Sequence, residues 1–363
     1  DRYKEAIAEL QQVVAAEADH VEALNNLGVA YSRNRQIKAA IESYERAIAV
    51  RPEFAKAHHN LGMTLLQQGD FARGWAESEW RWKKEEFSHF DCPQQPRWDG
   101  TPLPAQTLLI YTEQGAGDTI QFFRYLPLAA ARCQTVLLVC PQQLWRLFEA
   151  VIPPNVRLQP SGEIAVSAFA AYIPLMSLPL IFQTTLQTIP AEMPYLKAEA
   201  QQLPLPASDR PRIGVVWGGS PAHGNDRYRS VYLRDFLPVL QMQEFTFFAL
   251  QKGESRLAEV AELSPGELDW TILAPKLRDF SDTAAAIAQL DLVISVDTSV
   301  AHLAGALGRP IWTLLSYYAD WRWLHDRTDS PWYPSMRLFW QSQPGDWAGV
   351  MQQVREALLA QFV

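Results

Sequence analysis

Self-similarity at a fixed period constrains this chain more than any other feature. At a spacing of 34 residues Tyr3, Ile37 and Phe71 fall in register, as do Ala6, Ala40 and Gly74, and Ile7, Ile41 and Trp75. Such a period marks a stack of helical pairs, each of which buries its apolar face only against its neighbours. In the one complete unit Leu24, Leu27, Gly28 and Tyr31 lie on a first helix, and Ala40, Tyr44, Ala47 and Pro52 follow on a second. The small residues Gly28 and Ala40 let the two helices approach, and Tyr31 and Tyr44 fill the space around them. Leu61, Gly62 and Leu65 restart the pattern, which degenerates into "GWAESEWRW". So short a stack is expected to lean on a neighbouring domain, with Trp75, Trp80 and Trp82 as the packing between them. Residues 1–20 supply only a second helix and begin without a methionine, so the array is expected to be cut from a longer one.

Beyond residue 100 the pattern changes to short β-branched or leucine-rich runs separated by helical stretches, which predicts parallel sheets with crossover helices. The expected strands are 107–112, 135–140 and 168–174, then 212–217, 245–250, 270–273, 291–296 and 310–315. Between the two series "AEAQQLPLPASDRPR" has the composition of a linker. The expected organisation is repeats over 1–86, a first Rossmann-like domain over 87–200, a linker over 201–211 and a second Rossmann-like domain over 212–345. A final amphipathic helix over 346–363, with Val350, Val354, Leu358 and Phe362 on one face, is expected to cross back to the first α/β domain.

Several functions are excluded by what these segments lack. With 363 residues and a net charge of -8, no lysine- and arginine-rich face is present to track a nucleic acid. Cys92, Cys133 and Cys140 form no C-x-x-C pair, which fits reduced thiols and a cytoplasmic setting rather than a disulfide scaffold. The longest apolar stretch, 165–182, is broken by Pro174, Ser177 and Pro179, so it is expected as buried strand and loop and not as a membrane span.

Three turns at strand ends carry the residues that could do chemistry, since open α/β sheets bind ligands there. The first, "YTEQGAGDTIQFFRY", holds Gln114, Gly115 and Gly117, with Asp118 at a helix entrance, where an acid is either a cap or a proton acceptor. The second, "VVWGGSPAHGNDRYRS", offers Gly218 and Gly219 for close backbone approach and Arg229 as a fork for anionic oxygens, or is a plain surface loop. The third, "SVDTSVAHLAGALG", places Asp297, Thr298 and Ser299 where a helix begins and His302 on the same side. Free amides and the helix dipole there suit a diphosphate; the simpler alternative is a capped helix with a half-buried histidine. A further stretch, "YYADWRWLHDRTDSPWYPSMRLFWQ", with Arg322 and Asp326, is expected as a buried loop before a base-binding frame. The dinucleotide fingerprint, the P-loop, the nucleophile elbow, the zinc helix and a D-x-D pair are all missing, so no metal is expected.

The N-terminal units resemble the tetratricopeptide repeat. "GAGD" and "VDTSVAHLAGALG" together resemble the two halves of a GT-B glycosyltransferase, and are similar to the heptosyltransferase branch. "WDGTPL", "EQGAGDTIQFFRYLPL", "PLMSLP", "IPAEMPYL", "NDRYRS", "DWRWL" and "DSPWYPSMRLFWQ" extend the likeness over almost the whole chain, to bacterial proteins in which such repeats are fused to that domain. The resemblance implies a metal-independent glycosyltransferase that uses a nucleotide-diphosphate sugar and no resident cofactor. It implies Asp118 as general base, Thr298, Ser299 and His302 as the donor diphosphate site, Asp297 at its edge and Arg229 on the leaving diphosphate. Ser299 stands where heptosyltransferases tend to keep glycine. The fusion also resembles, more distantly, O-GlcNAc transferases, which makes UDP-GlcNAc a candidate donor and a protein held by the repeats a candidate acceptor. The alternatives are a non-catalytic repeat protein on a remnant GT-B scaffold and a GT-B epimerase.

Overall fold

The computed structural model describes residues 2–84, 92, 94–160, 162, 164–199, 203–263, 268–325 and 327–362. The expected boundary at 86/87 and Asp326 lie outside them. The chain divides into two compact units.

The first unit contains the repeats and two short excursions from the later sequence, 177–189 and 320–326. Its helices are α1 (Arg2–Ala16), α2 (Val21–Arg33), α3 (Ile37–Val50), α4 (Ala55–Gln67) and α5 (Phe71–Ser78). The small-residue reading of the helix contact holds at atomic level. A Cβ on Gly28 would stand 2.5 Å from the Tyr44 ring, so only glycine admits the tyrosine against α2. Gly62 has the same role, since a Cβ there would stand 2.6 Å from the backbone nitrogen of Ser78. The tryptophans have different partners. The Trp75 indole donates to the Thr184 carbonyl at 2.9 Å and packs edge-on to Trp321, with ring centroids 5.4 Å apart. Trp80 stacks on His58, inside the repeats, while the Arg81 guanidinium lies over Trp82. The repeats thus complete their core with 177–189 and 320–326, segments taken from the α/β sequence.

The second unit contains two parallel sheets. Its strands are β1 (Leu103–Tyr111), β2 (Cys133–Val139), β3 (Val156–Gln159) and β4 (Ala171–Pro174), then β5 (Arg212–Val216), β6 (Thr246–Ala249), β7 (Trp270–Ile272), β8 (Leu292–Val296), β9 (Ile311–Leu315) and β10 (Met336–Trp340). The first sheet runs β3-β2-β1-β4 and the second β10-β9-β8-β5-β6-β7. Every pairing between them is parallel. In the second sheet the chain leaves β5 in one direction through β6 and β7, then returns to β8 on the other side. Its switch point therefore lies between β5 and β8, where ligands of open sheets bind. Both flanking strands are apolar and buried, with Leu292 to Val296 below the surface throughout. Strands β3 and β10 escape the sequence pattern, and each is an edge strand with a polar residue in a short run.

The expected linker is partly fastened: the Gln289 side chain donates to the Leu203 carbonyl and accepts from Leu205 N–H. The final helix spans Trp347–Phe362 and buries the expected face, Val350, Val354 and Leu358. Its destination differs from expectation. These residues join the core of the second sheet with Phe245, Phe247 and Phe339, and Phe362 meets Phe245 edge-on. Only a short turn separates the helix from β10, so its apolar face reaches the nearest open side of the sheet that it follows instead of crossing to the first α/β domain.

Candidate functional site

The turn after β1 enters helix α6 (Ala116–Phe122), and Gly115 stands at its N-cap. Asp118, half-buried, accepts the Gly115 N–H at 3.0 Å. Through that bond it caps the backbone N–H that opens the helix, a role an N3 carboxylate often takes. Gln114 is exposed in the same turn. Gly117 explains why a glycine is required here. A Cβ on it would stand 3.0 Å from His302 Cδ2 and 3.3 Å from Ser299 Cα, so the entrance of α6 lies directly on the turn after β8. Residues far apart in sequence are thereby brought together: Gly115, Gly117 and Asp118 from the first sheet, Ser299 and His302 from the second.

The turn after β8 leads into helix α7 (Ser299–Ala306). Thr298 is the N-cap with extended backbone, yet its side chain caps nothing in the helix. Its hydroxyl meets Ser295 Oγ at 3.0 Å, and Ser295 Oγ donates to the Val296 carbonyl at 2.7 Å. Ser295 has one proton, so Thr298 is the donor of the pair and its O–H points inward. The expected hydroxyl donor for a diphosphate is committed elsewhere in this structure. The Thr298 side chain leaves the Ser299 and Val300 amides uncapped, while Ala301 and His302 N–H donate to the Thr298 carbonyl at 3.1 and 3.4 Å; open amides with the helix dipole favour an anion. Asp297 is half-buried and its carbonyl accepts from Arg229 Nη1 at 3.0 Å. His302 is buried, with Nδ1 2.9 Å from the Tyr333 hydroxyl.

The turn after β5 is built in a different way. Trp217 N–H and Gly218 N–H both donate to Gln251 Oε1, and Gln251 Nε2 returns a bond to the Gly218 carbonyl. Gly219 N–H donates to Ser230 Oγ at 3.0 Å. The amides that seemed suited to a ligand are consumed inside the protein. The missing side chains serve arginines: Arg256 occupies the Cβ position of Gly218, and a Cβ on Gly219 would stand 2.5 Å from Arg229 Nη2. Arg256 pairs with the buried Asp226, which also faces Arg229 Nε at 3.6 Å and accepts from Ser230 Oγ at 2.8 Å. Arg229 therefore reaches from the β5 turn to the β8 turn, held by Asp226 behind it. Arg256 and Gln251 were not found by sequence reasoning; they lie beyond β6, and no local motif marks them. A cavity of about 590 Å³ opens at the carboxyl ends of β6 and β7, lined among others by Lys252, Glu254, Leu257, Ile272 and Pro275. Among the described residues no group of three or more His, Cys, Asp or Glu side chains is placed to hold a metal ion. No helix among them is long and apolar enough to cross a membrane.

Two parallel α/β sheets whose strand-end turns converge have the arrangement of the GT-B fold, and comparison with known proteins shows what the chain resembles. Residues 192–346 match the model of glycosyltransferase family 9 (heptosyltransferase), while 21–54 and 1–34 match tetratricopeptide repeat models. The chain is 27% identical over 427 residues to Protein FlbA of Caulobacter vibrioides, covering 99% of this chain and 70% of that protein. The family 9 glycosyl transferase of Veillonella parvula shares its fold at 12% identity and a TM-score of 0.50, over 72% of this chain and 99% of the other. The ADP-heptose heptosyltransferase II of E. coli aligns at 15% identity and a TM-score of 0.47, over 71% of this chain and 100% of the other. The family match includes Arg229 and Asp297 to His302 but stops short of Asp118.

Proposed function

We propose that this protein transfers a sugar from a nucleotide-diphosphate donor to a hydroxyl acceptor, with the donor diphosphate at the entrance of α7. The single observation that carries the reading is the seat of Gly117 against His302 and Ser299, which brings a carboxylate on α6 to the side of an uncapped helix entrance. Asp118 takes the proton of the acceptor hydroxyl, whose oxygen bonds to the anomeric carbon. The bond from that carbon to the diphosphate breaks, and its electron pair stays on the departing oxygen. Arg229 and the first-turn amides of α7 stabilise that charge, a type of contribution that reaches several kcal/mol. The general base contributes roughly a 10²- to 10⁴-fold acceleration. The nucleoside points toward the cavity beyond β6 and β7, where Leu257 and Ile272 offer apolar contact for a base and Lys252 and Glu254 offer polar groups for a ribose. The repeats hold a protein or peptide that carries the acceptor hydroxyl.

The test is thermal stabilisation by UDP, ADP, GDP, dTDP and CMP at millimolar concentration. One nucleoside diphosphate is expected to raise the melting temperature, and failure of all five contradicts the donor site. With the stabilising nucleotide's sugar as donor, Asp118→Asn is expected to keep binding and lose transfer; full transfer by this variant overturns its role as base.

A further inference from the structure

His302 does not stand alone behind the entrance of α7. Its Nδ1 lies 2.9 Å from the hydroxyl of Tyr333, which is fully buried. The two rings meet edge-on, with centroids 5.7 Å apart. The tyrosine reaches that position because Gly305, one helical turn beyond His302, has no side chain: a Cβ there would stand 2.5 Å from Tyr333 Cγ and Cδ1. On the far side of Tyr333 lies Arg124, its guanidinium carbon 4.9 Å from the centre of the phenol ring. Arg124 is itself buried and donates to the carbonyls of Gln121, Trp332 and Pro190. Burial opposes its charge, but the Tyr195 and Tyr333 hydroxyls beside it outweigh that and push the guanidinium further up. Arg124 belongs to the turn that follows α6, so one cation is fixed to the element of Asp118 and packed against the tyrosine of His302.

The polarity of the Tyr333 to His302 bond follows from this cation. A positive charge beside a phenol favours electron density on its oxygen and makes the O–H a better donor. The neighbouring Tyr195 behaves in the same way: it accepts from Arg124 Nη2 and donates to the Ile120 carbonyl at 3.0 Å. When Tyr333 donates, His302 Nδ1 is the acceptor and the ring proton resides on Nε2. Nε2 is bonded to Cδ2, the atom that faces Gly117, so the proton-bearing edge is turned toward the meeting point of α6 and α7.

We propose that Tyr333, backed by Arg124 and admitted by Gly305, is a positioning residue that holds His302 as an Nε2–H donor facing the diphosphate of the nucleotide-sugar. The ligand part of this inference rests on the donor site proposed above; the tautomer does not. Histidine-selective ¹⁵N labelling of the full chain reads the tautomer directly, with His302→Gln to assign the signal. With the imidazole in its neutral form, read at alkaline pH, His302 is expected to show a protonated Nε2 and a bare, hydrogen-bonded Nδ1. In Tyr333→Phe the Nδ1 resonance is expected to move and the single tautomer to be lost. The same variant is expected to bind the stabilising nucleoside diphosphate roughly tenfold more weakly, the scale of one hydrogen bond to a charged group. Gly305→Ala, which displaces the ring without removing the hydroxyl, is expected to do the same to both readouts. A wild-type His302 protonated on Nδ1, or a Tyr333→Phe spectrum identical to wild type, overturns the proposal. So does wild-type nucleotide affinity in Tyr333→Phe. If wild type binds none of the five nucleotides, the donor site falls, and the spectrum still decides the tautomer.

Discussion

The two turns that flank the switch point of the second sheet differ in construction, and not in the way that their residues suggest. After β5, Gly218 and Gly219 suggest open backbone, yet Gln251 and Ser230 take their amides and two arginines fill the space that their missing side chains leave. After β8 the turn holds Thr298 and Ser299 and no glycine, yet the Thr298 side chain leaves the entrance of α7 uncapped. Glycine here marks room for the protein's own cations. The turn without glycine is the one we propose for the diphosphate, and the β5 turn places Arg229 beside it.

The largest way to break this contrast is to remove the buried carboxylate that both arginines share. Asp226→Asn is expected to destabilise the protein by about 3 kcal/mol, the scale of a broken buried ion pair, and to weaken nucleotide binding through Arg229. Urea unfolding with and without nucleotide measures both, and an unchanged midpoint contradicts the support assigned to Asp226. Gly218→Ala ranks next, at about 2 kcal/mol of overpacking, because its Cβ would meet Arg256 from Cδ to the guanidinium, which Asp226 and Glu259 hold in place. Gly219→Ala meets the guanidinium of Arg229, whose contact with Asp226 is longer at 3.6 Å, so it should cost stability less and nucleotide affinity more. Equal stability losses in the two variants would erase the difference between the arginines.

Acid tests a different buried carboxylate. Asp282 has its carboxyl drawn down to about 2 by hydrogen bonding from Arg278 against its burial, with Arg146 adding to the effect. A depressed carboxylate contributes stability that is complete above its unfolded pKa near 3.9 and is lost as pH falls toward 2, here at most about 2 kcal/mol. Asp282→Asn should flatten the stability curve between about pH 4 and 2; a curve unchanged from wild type would contradict the ion pairs assigned to Asp282. The smallest effect is expected from Thr298→Val. It removes the inward bond to Ser295, worth about 1 kcal/mol, and leaves the α7 amides in place, so binding should drop only a few-fold. A loss of a hundredfold would show that the threonine hydroxyl turns outward to hold the ligand.

These contrasts explain which parts of the molecule its sequence discloses. The 34-residue period and the pair Gly28 with Tyr44 were legible because solenoid packing is local and repeats. The turns carrying Asp118 and Asp297 to His302 were legible because strand-end residues change type abruptly. What Gly218 and Gly219 face was not, since Arg256 and Gln251 come from a later segment whose local pattern is that of an ordinary surface helix. Strands β3 and β10 were missed because short edge strands carry Arg157 and Arg337 on faces that need not be apolar. The docking of 177–189 and 320–326 into the repeat unit depends on single aromatic contacts such as Trp75 with Trp321, which leave no periodic trace.

Hydrogen exchange of the backbone amides, read by mass spectrometry with and without the stabilising nucleoside diphosphate, tests the central contrast directly. The amides of Trp217 to Gly219 are expected to exchange slowly in both states, because Gln251 and Ser230 already hold them. Those of Ser299 and Val300 are expected to gain protection only when nucleotide is present, whereas Ala301 and His302 already donate to the Thr298 carbonyl. Protection that appears at 217–219 and leaves 299–300 unchanged would place the diphosphate on the glycine turn and contradict the account.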